Sequence, residues 1–192
     1  MDNLVHGMEP NVARLKLLRD GFNKDAMDQF FYGFQRYVAN ANTTLLDNLG
    51  TDLGSRDATD DLYFINSSLN LSYELAIVGL YKKIEIETNR ALKVVFPEDY
   101  APKNFKKVKE KLAAADISGL NFAAVDELRW INNCIKHRGT VNEDLAQFEG
   151  WEKGTAVTGL DIAYARLSQP IHDYFTQLMN ALIELYKKNA TK

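Results

Sequence analysis

Apolar residues recur at intervals of three and four along most of this chain, and no pair of segments alternates convincingly with the period of two that a strand needs. Met27, Phe30, Phe31, Phe34, Tyr37 and Val38 follow the helical spacing and predict one buried stripe. That helix starts after Asn23, with Asp25 and Asp28 in its first turn where acidic groups suit the positive dipole end, and fades around Leu49-Gly50. A shorter helix over Val12 to Leu18 precedes it and stops near Gly21. From Thr59 to Phe96 there is no proline, and Gly79 is the one glycine. The stretch predicts a single very long helix, or two joined by a break near Ser67-Ser68, ended in either case by Pro97. Leu75 to Leu80 is apolar on every side, so this portion is expected to be the fully surrounded centre of a bundle.

Beyond Pro97 a loop leads into a basic amphipathic helix over Phe105 to Ala115, which with Lys103 carries Lys106, Lys107, Lys109 and Lys111. A lysine-rich face is first a solvated face and second a surface that tracks RNA or meets a partner. Ile117-Ser118-Gly119 reads as a turn. The next helix runs from Asn121, a good N-cap, to His137, with Gly139 where a C-terminal glycine belongs. Gly150 to Gly159 is a loop, and the last helix covers Asp161 to Lys188, kinked or restarted at Pro170. No internal repeat is visible. The expected architecture is all-α: one domain over 1–192, with an N-terminal helical arm over 1–22 and a helical bundle with long central helices over 23–192.

Composition sharpens this only slightly. A chain of 192 residues with 46% hydrophobic and 26% charged residues can bury one substantial core. Its net charge of −3 gives no general attraction to a polyanion, so any nucleic-acid role must come from a local patch. Cys134 is the sole cysteine, which excludes an internal disulfide and a cysteine-based zinc site and suits a reducing compartment. The start of the sequence lacks a basic segment followed by an apolar run, and Leu75 to Leu80 is far short of the roughly 20 apolar residues a bilayer span needs. A cytoplasmic location without membrane contact is expected.

Candidate chemistry concentrates on the helix that ends at His137. Phe122, Val125, Leu128, Ile131 and Ile135 form its apolar stripe. With Arg129 at zero on the helical wheel, Lys136, Asn133, Asp126 and His137 all fall within an arc of roughly 100°. Arginine can grip a phosphate through two bonds, histidine can exchange a proton near neutral pH, and asparagine can fix a hydroxyl or a base edge. The plainer reading is a polar surface face, with Arg129 paired to Asp126 and with Lys136 and His137 complementing the helix dipole. On the long helix, Glu74, Tyr81 and Glu85 share one face; they form either a half-exposed strip or an internal acidic cluster that meets a basic partner.

Other constellations are weaker. Asp52, Asp57, Asp60 and Asp61 lie in the connection from Gly50 to Asp61 without the ligand order of a calcium loop. Cys134 and His137 point in different directions, and Cys134 borders the apolar stripe. His6, His137 and His172 are scattered, and no glycine-rich phosphate cradle or nucleophile elbow occurs. No metal or cofactor is expected.

The run Glu127-Leu128-Arg129-Trp130-Ile131-Asn132-Asn133-Cys134-Ile135-Lys136-His137-Arg138-Gly139 resembles the late-helix motif of the HEPN superfamily. The run Tyr73 to Glu85 resembles the long core helix of proteins around that superfamily, so the likeness covers about Leu62 to Gly139. The resemblance implies a four- to five-helix bundle, a homodimer with a composite cleft, and a metal-independent ribonuclease of a toxin or defence system. His137 would then act as general base on a ribose 2′-hydroxyl, Arg129 would stabilise the phosphorane charge, and Asn133 would position substrate. Lys136 and Tyr81 would assist binding, and Glu74 or Glu85 would orient Arg129 or His137. Seven residues separate Arg129 from His137 where four to six are usual, and Trp130 stands where a polar neighbour is common. These departures keep open a non-catalytic helical protein that binds RNA, a nucleotide or a protein partner, or a scaffold whose polar cluster satisfies itself.

Overall fold

Six α-helices follow one another in the computed structural model, which describes residues 2–49, 56–97 and 105–190. They are α1 (Asp2–Gly21), α2 (Lys24–Leu49), α3 (Arg56–Val95), α4 (Phe105–Ala114), α5 (Ala123–His137) and α6 (Leu160–Ala190). A short 3-10 turn, Leu145–Gln147, lies between α5 and α6. Among the described residues there is no strand, only an isolated bridge between Thr140 and Ala156, so the all-α expectation holds. No described helix is long and apolar enough to cross a membrane.

The local signals set most of these limits. Asn23 caps α2, its side-chain oxygen accepting from the Ala26 amide at 2.8 Å, and Asn121 caps α5 through the Ala123 amide at 3.1 Å. Gly139 closes α5 with φ +63°, and its amide reaches back to the Cys134 carbonyl at 2.9 Å. α3 ends just before Pro97, as read from the sequence. It runs without interruption through Ser67-Ser68, so the single-helix alternative is the observed one. α1 is longer than the apolar periodicity indicated, with Pro10 inside it. The connection after Gly50 that held Asp52 lies outside the described residues, as does Lys103; Asp57, Asp60 and Asp61 belong to α3.

The chain forms two compact units. The first comprises Met1–Ala26, Lys82–Asp126 and Leu167–Lys192. Its core holds Leu15, Phe22, Ile84, Leu92, Leu112, Val125, Ile171, Tyr174, Phe175 and Leu178. Asn11 of α1 donates to the Tyr186 hydroxyl of α6 at 2.8 Å, and Phe22, just past the end of α1, packs on Phe175 with ring centroids 4.3 Å apart. α4 buries Phe105, Val108 and Leu112, one side of its cylinder. Lys109 on that helix bonds Asp126 and lies over the Phe122 ring. Glu85 is likewise held on its own helix by Lys82 at 2.6 Å.

The second unit comprises Met27–Tyr81 and Glu127–Arg166. Here α2 and α3 run antiparallel. Asn42 bonds the Ile65 carbonyl and Ser68, Phe31 meets Tyr73, and the Phe30 ring lies against Gly79, where an added Cβ would come within 2.6 Å of it. Phe31 is fully buried and stacks on Tyr164, centroids 3.7 Å apart and rings nearly parallel. The Tyr164 hydroxyl donates to Asp28 at 2.9 Å. Burial first, and the Asp28 bond second, push this phenol's pKa well above its usual range.

Two expectations about burial need correction. The apolar stripe of α2 divides: Met27 and Phe31 are buried, while Phe30, Phe34 and Tyr37 are exposed. Phe30 touches α3 at Gly79 yet keeps part of its ring in water, so the apolar arc is wider than the buried contact. Leu75 to Leu80 is not fully surrounded either. Ala76, Ile77 and Leu80 are buried, but Leu75 is half exposed and Val78 and Gly79 are intermediate.

Phe31→Ala is expected to cost about 3–5 kcal/mol of stability, because it empties a fully buried ring site between Tyr73 and Tyr164. Phe34→Ala, at an exposed position one turn on, should cost under about 1 kcal/mol in the same urea titration of dilute protein.

Candidate functional site

α5 is buried over more than half of its circumference. Val125, Leu128, Ile131 and Cys134 are all nearly inaccessible, and so are two polar residues, Glu127 and Asn132. What remains toward water is the arc read from the wheel: Arg129 and Asn133 half buried, Lys136 and His137 exposed. Arg138 and Gly139 extend it past the helix end.

Glu127 explains why this helix is oriented as it is. Its side chain points into the second unit, and a buried carboxylate is costly unless bonded. Three donors meet it. Arg166 of α6 forms a two-bond fork, Nη1 to Oε2 at 2.8 Å and Nη2 to Oε1 at 2.5 Å, and Trp151 donates its indole N–H to Oε1 at 2.7 Å. The fork raises the Arg166 pKa above its ordinary value, against the opposing effect of burial. One carboxylate thus fastens α5, α6 and the loop between them.

That loop is folded rather than slack. The amides of Val141, Gly154 and Val157 donate to the carbonyls of Thr155, Val141 and Gly139 at 2.8–3.0 Å. Asn142 turns the chain into the 3-10 segment by accepting from the Leu145 amide, and Val141, Leu145 and Val157 are its buried anchors. Gly139, Leu160 and Asp161, with Asn70, Tyr73 and Glu74 of α3, line a cleft of about 240 Å³. Its ionisable lining includes Glu74 and Asp161 and, among the described residues, no cation, so it does not suit a phosphate.

The sequence-derived candidates therefore separate. Arg129, Asn133, Lys136 and His137 share the open arc of α5. Glu74 lines the acidic cleft, Tyr81 is buried on α3, and Glu85 belongs to the first unit, paired with Lys82. The Arg129 guanidinium stacks over the Trp130 ring, 4.2 Å from its centroid. Eight residues of helix put the Arg129 and His137 Cα atoms about 12 Å apart along the axis. Asn133 accepts a long bond of 3.4 Å from Asn132. Cys134 is buried, and His172 lies beside Asp173, 3.5 Å from its carboxylate.

Glu127 has a role that the motif likeness does not assign it. Its signal is its place on the wheel, roughly 160° from Arg129 and flanked by Ala124, Leu128, Ile131 and Cys134. An acid on the apolar side of a helix requires a donor elsewhere. Trp151 and Arg166 were not identifiable as those donors from spacing.

A second concavity lies wholly in the first unit, about 720 Å³ and lined by Arg14, Arg90, Lys93, Tyr186 and Asn189 among others. Arg90 is engaged by Glu87 at 3.0 Å, and Lys93 occupies the last turn of α3, where a cation complements the helix's negative end.

Glu127→Ala should destabilise the chain by about 3 kcal/mol, since it orphans the indole N–H and removes the partner of Arg166. Trp151→Phe removes one of the three bonds and should cost about 1–2 kcal/mol. Chemical denaturation of both variants decides this; losses below about 0.5 kcal/mol in each would mean the cluster fastens nothing. Gly139→Ala, with open space around the new methyl but a left-handed backbone, should cost about 1–2 kcal/mol from strain alone.

Searches across known families, curated proteins and solved structures gave a uniform result: no family model, no curated protein and no solved structure matches this chain.

Proposed function

We propose that the chain is a HEPN-like protein that binds RNA through the C-terminal end of α5, without the transesterification chemistry of the ribonucleases it resembles. The observation that carries this is the run Lys136, His137 and Arg138. All three are exposed at the helix end, and among the described residues none forms an ion pair. Both acids of the helix are committed elsewhere, Asp126 to Lys109 and Glu127 to Arg166. A chain of net charge −3 thereby keeps one local surface that attracts phosphate.

The spacing along α5 supports binding over catalysis. A general base and a charge-stabilising arginine must reach one phosphate within hydrogen-bond distance. Arg129 and His137 are about 12 Å apart along a rigid helix. The Cβ directions of a helix lean toward its N-terminus, so the Arg129 side chain leans away from His137. Its guanidinium is also occupied by the Trp130 ring. That spacing suits contacts to separate phosphates of one strand, with Asn133 between them offering an amide to a base or a hydroxyl.

The test is fluorescence anisotropy of a labelled single-stranded RNA in EDTA across a salt series, with each mixture also run on a denaturing gel. Wild type is expected to bind, with affinity falling as salt rises and the RNA left intact. The double variant Lys136→Ala/Arg138→Ala should bind at least about tenfold more weakly and reduce the salt slope by roughly 1–2, as two lost phosphate contacts require. No binding at low salt, or an unchanged slope in the double variant, would remove RNA from the reading. Cleavage by wild type that vanishes in a folded His137→Ala would replace binding with ribonuclease activity.

A further inference from the structure

A groove of about 530 Å³ lies between α2 and α3, wholly within the second unit. Tyr32, Gln35, Arg36 and Ala39 line it from α2, and Leu69 and Tyr73 from α3. The α2 positions follow at three, one and three, so they share one side of that helix. Both tyrosines are held by the aromatic cluster around Phe31. Tyr32 meets Phe31 edge to face at 5.0 Å and Tyr164 at 5.4 Å, and Tyr73 lies 6.1 Å from Phe31. Phe31 and Tyr164 are themselves buried, so these walls are set before any ligand arrives.

Two polar groups in the groove lack what their chemistry requires. Gln35 is 6% exposed, yet its Oε1 has no hydrogen-bond partner, and its Nε2 reaches the Ser72 carbonyl only at 3.5 Å. A buried amide oxygen without a donor is destabilising and calls for a water, an ion or a ligand. The last torsion of a glutamine is soft, and so long a contact to Ser72 restrains it little. A small turn of the amide therefore presents its oxygen to the groove. Arg36, the next residue, is exposed; among the described residues it forms no ion pair, and no acid lines the groove. A water would answer the oxygen but neither the guanidinium nor the rings. The site asks for a donor at its buried end, a flat ring against the tyrosines and a negative charge at its exposed end. One guanidinium balances one carboxylate through two parallel bonds, whereas a phosphate monoester carries about two charges and would leave one unmatched.

We propose that this groove binds a small planar heteroaromatic monocarboxylate, its ring against Tyr32 and Tyr73, its ring N–H bonded to Gln35 and its carboxylate to Arg36. The inference shares no residue with the end of α5 and does not rest on the RNA reading.

Isothermal titration calorimetry of the full chain with indole-3-acetate tests it. Wild type is expected to bind with a dissociation constant below about 1 mM. 1-Methylindole-3-acetate, which lacks the N–H, and indole-3-acetamide, which lacks the charge, should each bind at least about tenfold more weakly. Arg36→Gln should lose the preference for the acid over the amide. Gln35→Met, close in shape, should lose the preference for the N–H while melting no lower than wild type, since it removes the orphaned oxygen. No saturation by about 5 mM indole-3-acetate overturns the proposal, and so does equal binding of the three indoles. Binding that neither variant changes overturns it by placing the ligand elsewhere. Tighter binding of adenosine monophosphate overturns the assignment of a singly charged ligand.

Discussion

Burying a carboxylate commits a fold to supplying donors around it, and Glu127, 3% exposed, imposes that demand on the second unit. The answer comes from two distant places in sequence, the guanidinium of Arg166 and the indole of Trp151. Both must arrive together for the site to be satisfied. α5 is thereby fixed against α6, and the intervening loop is held at Trp151 as well as by its own backbone bonds. An apolar residue at this position would allow α5 to rotate by a few degrees at little cost; a forked ion pair tolerates much less. The open arc with Arg129, Asn133, Lys136 and His137 faces outward because the opposite side of the helix is locked.

How much of this the sequence disclosed depends on the range of the interaction. Caps and terminators act locally, so Asn23, Asn121, Pro97 and Gly139 were readable, and the helices they delimit lie where expected. The polar arc of α5 was readable as well, because it follows from helical geometry alone. Burial on α2 was not. Met27, Phe30, Phe31, Phe34, Tyr37 and Val38 are all apolar, and periodicity cannot say which part of a wide arc a neighbouring helix will cover. Leu75 misled for the same reason: an apolar run is not evidence of being surrounded. The bond from Lys109 to Asp126 was not readable either, since it depends on where α4 sets its amine against α5.

Charge on the second unit is sorted with some economy. Glu127 is bonded within it, and Glu74 and Asp161 line the cleft. The end of α5 keeps its cations, while Phe30, Phe34 and Tyr37 of α2 and Leu75 of α3 keep exposed apolar side chains. The cations at the end of α5 and these apolar rows of α2 and α3 share no residue.

Both tryptophans of the chain, Trp130 and Trp151, belong to the second unit, the first under the Arg129 guanidinium and the second on Glu127. Indole emission is consequently a private signal of that unit, blind to α1, α4 and most of α6. Helical ellipticity, by contrast, averages over both. Comparing the two during a thermal ramp converts an accident of composition into a built-in spectroscopic address: coincident curves mean that the units melt as one cooperative body, and displaced curves name the unit that gives way first.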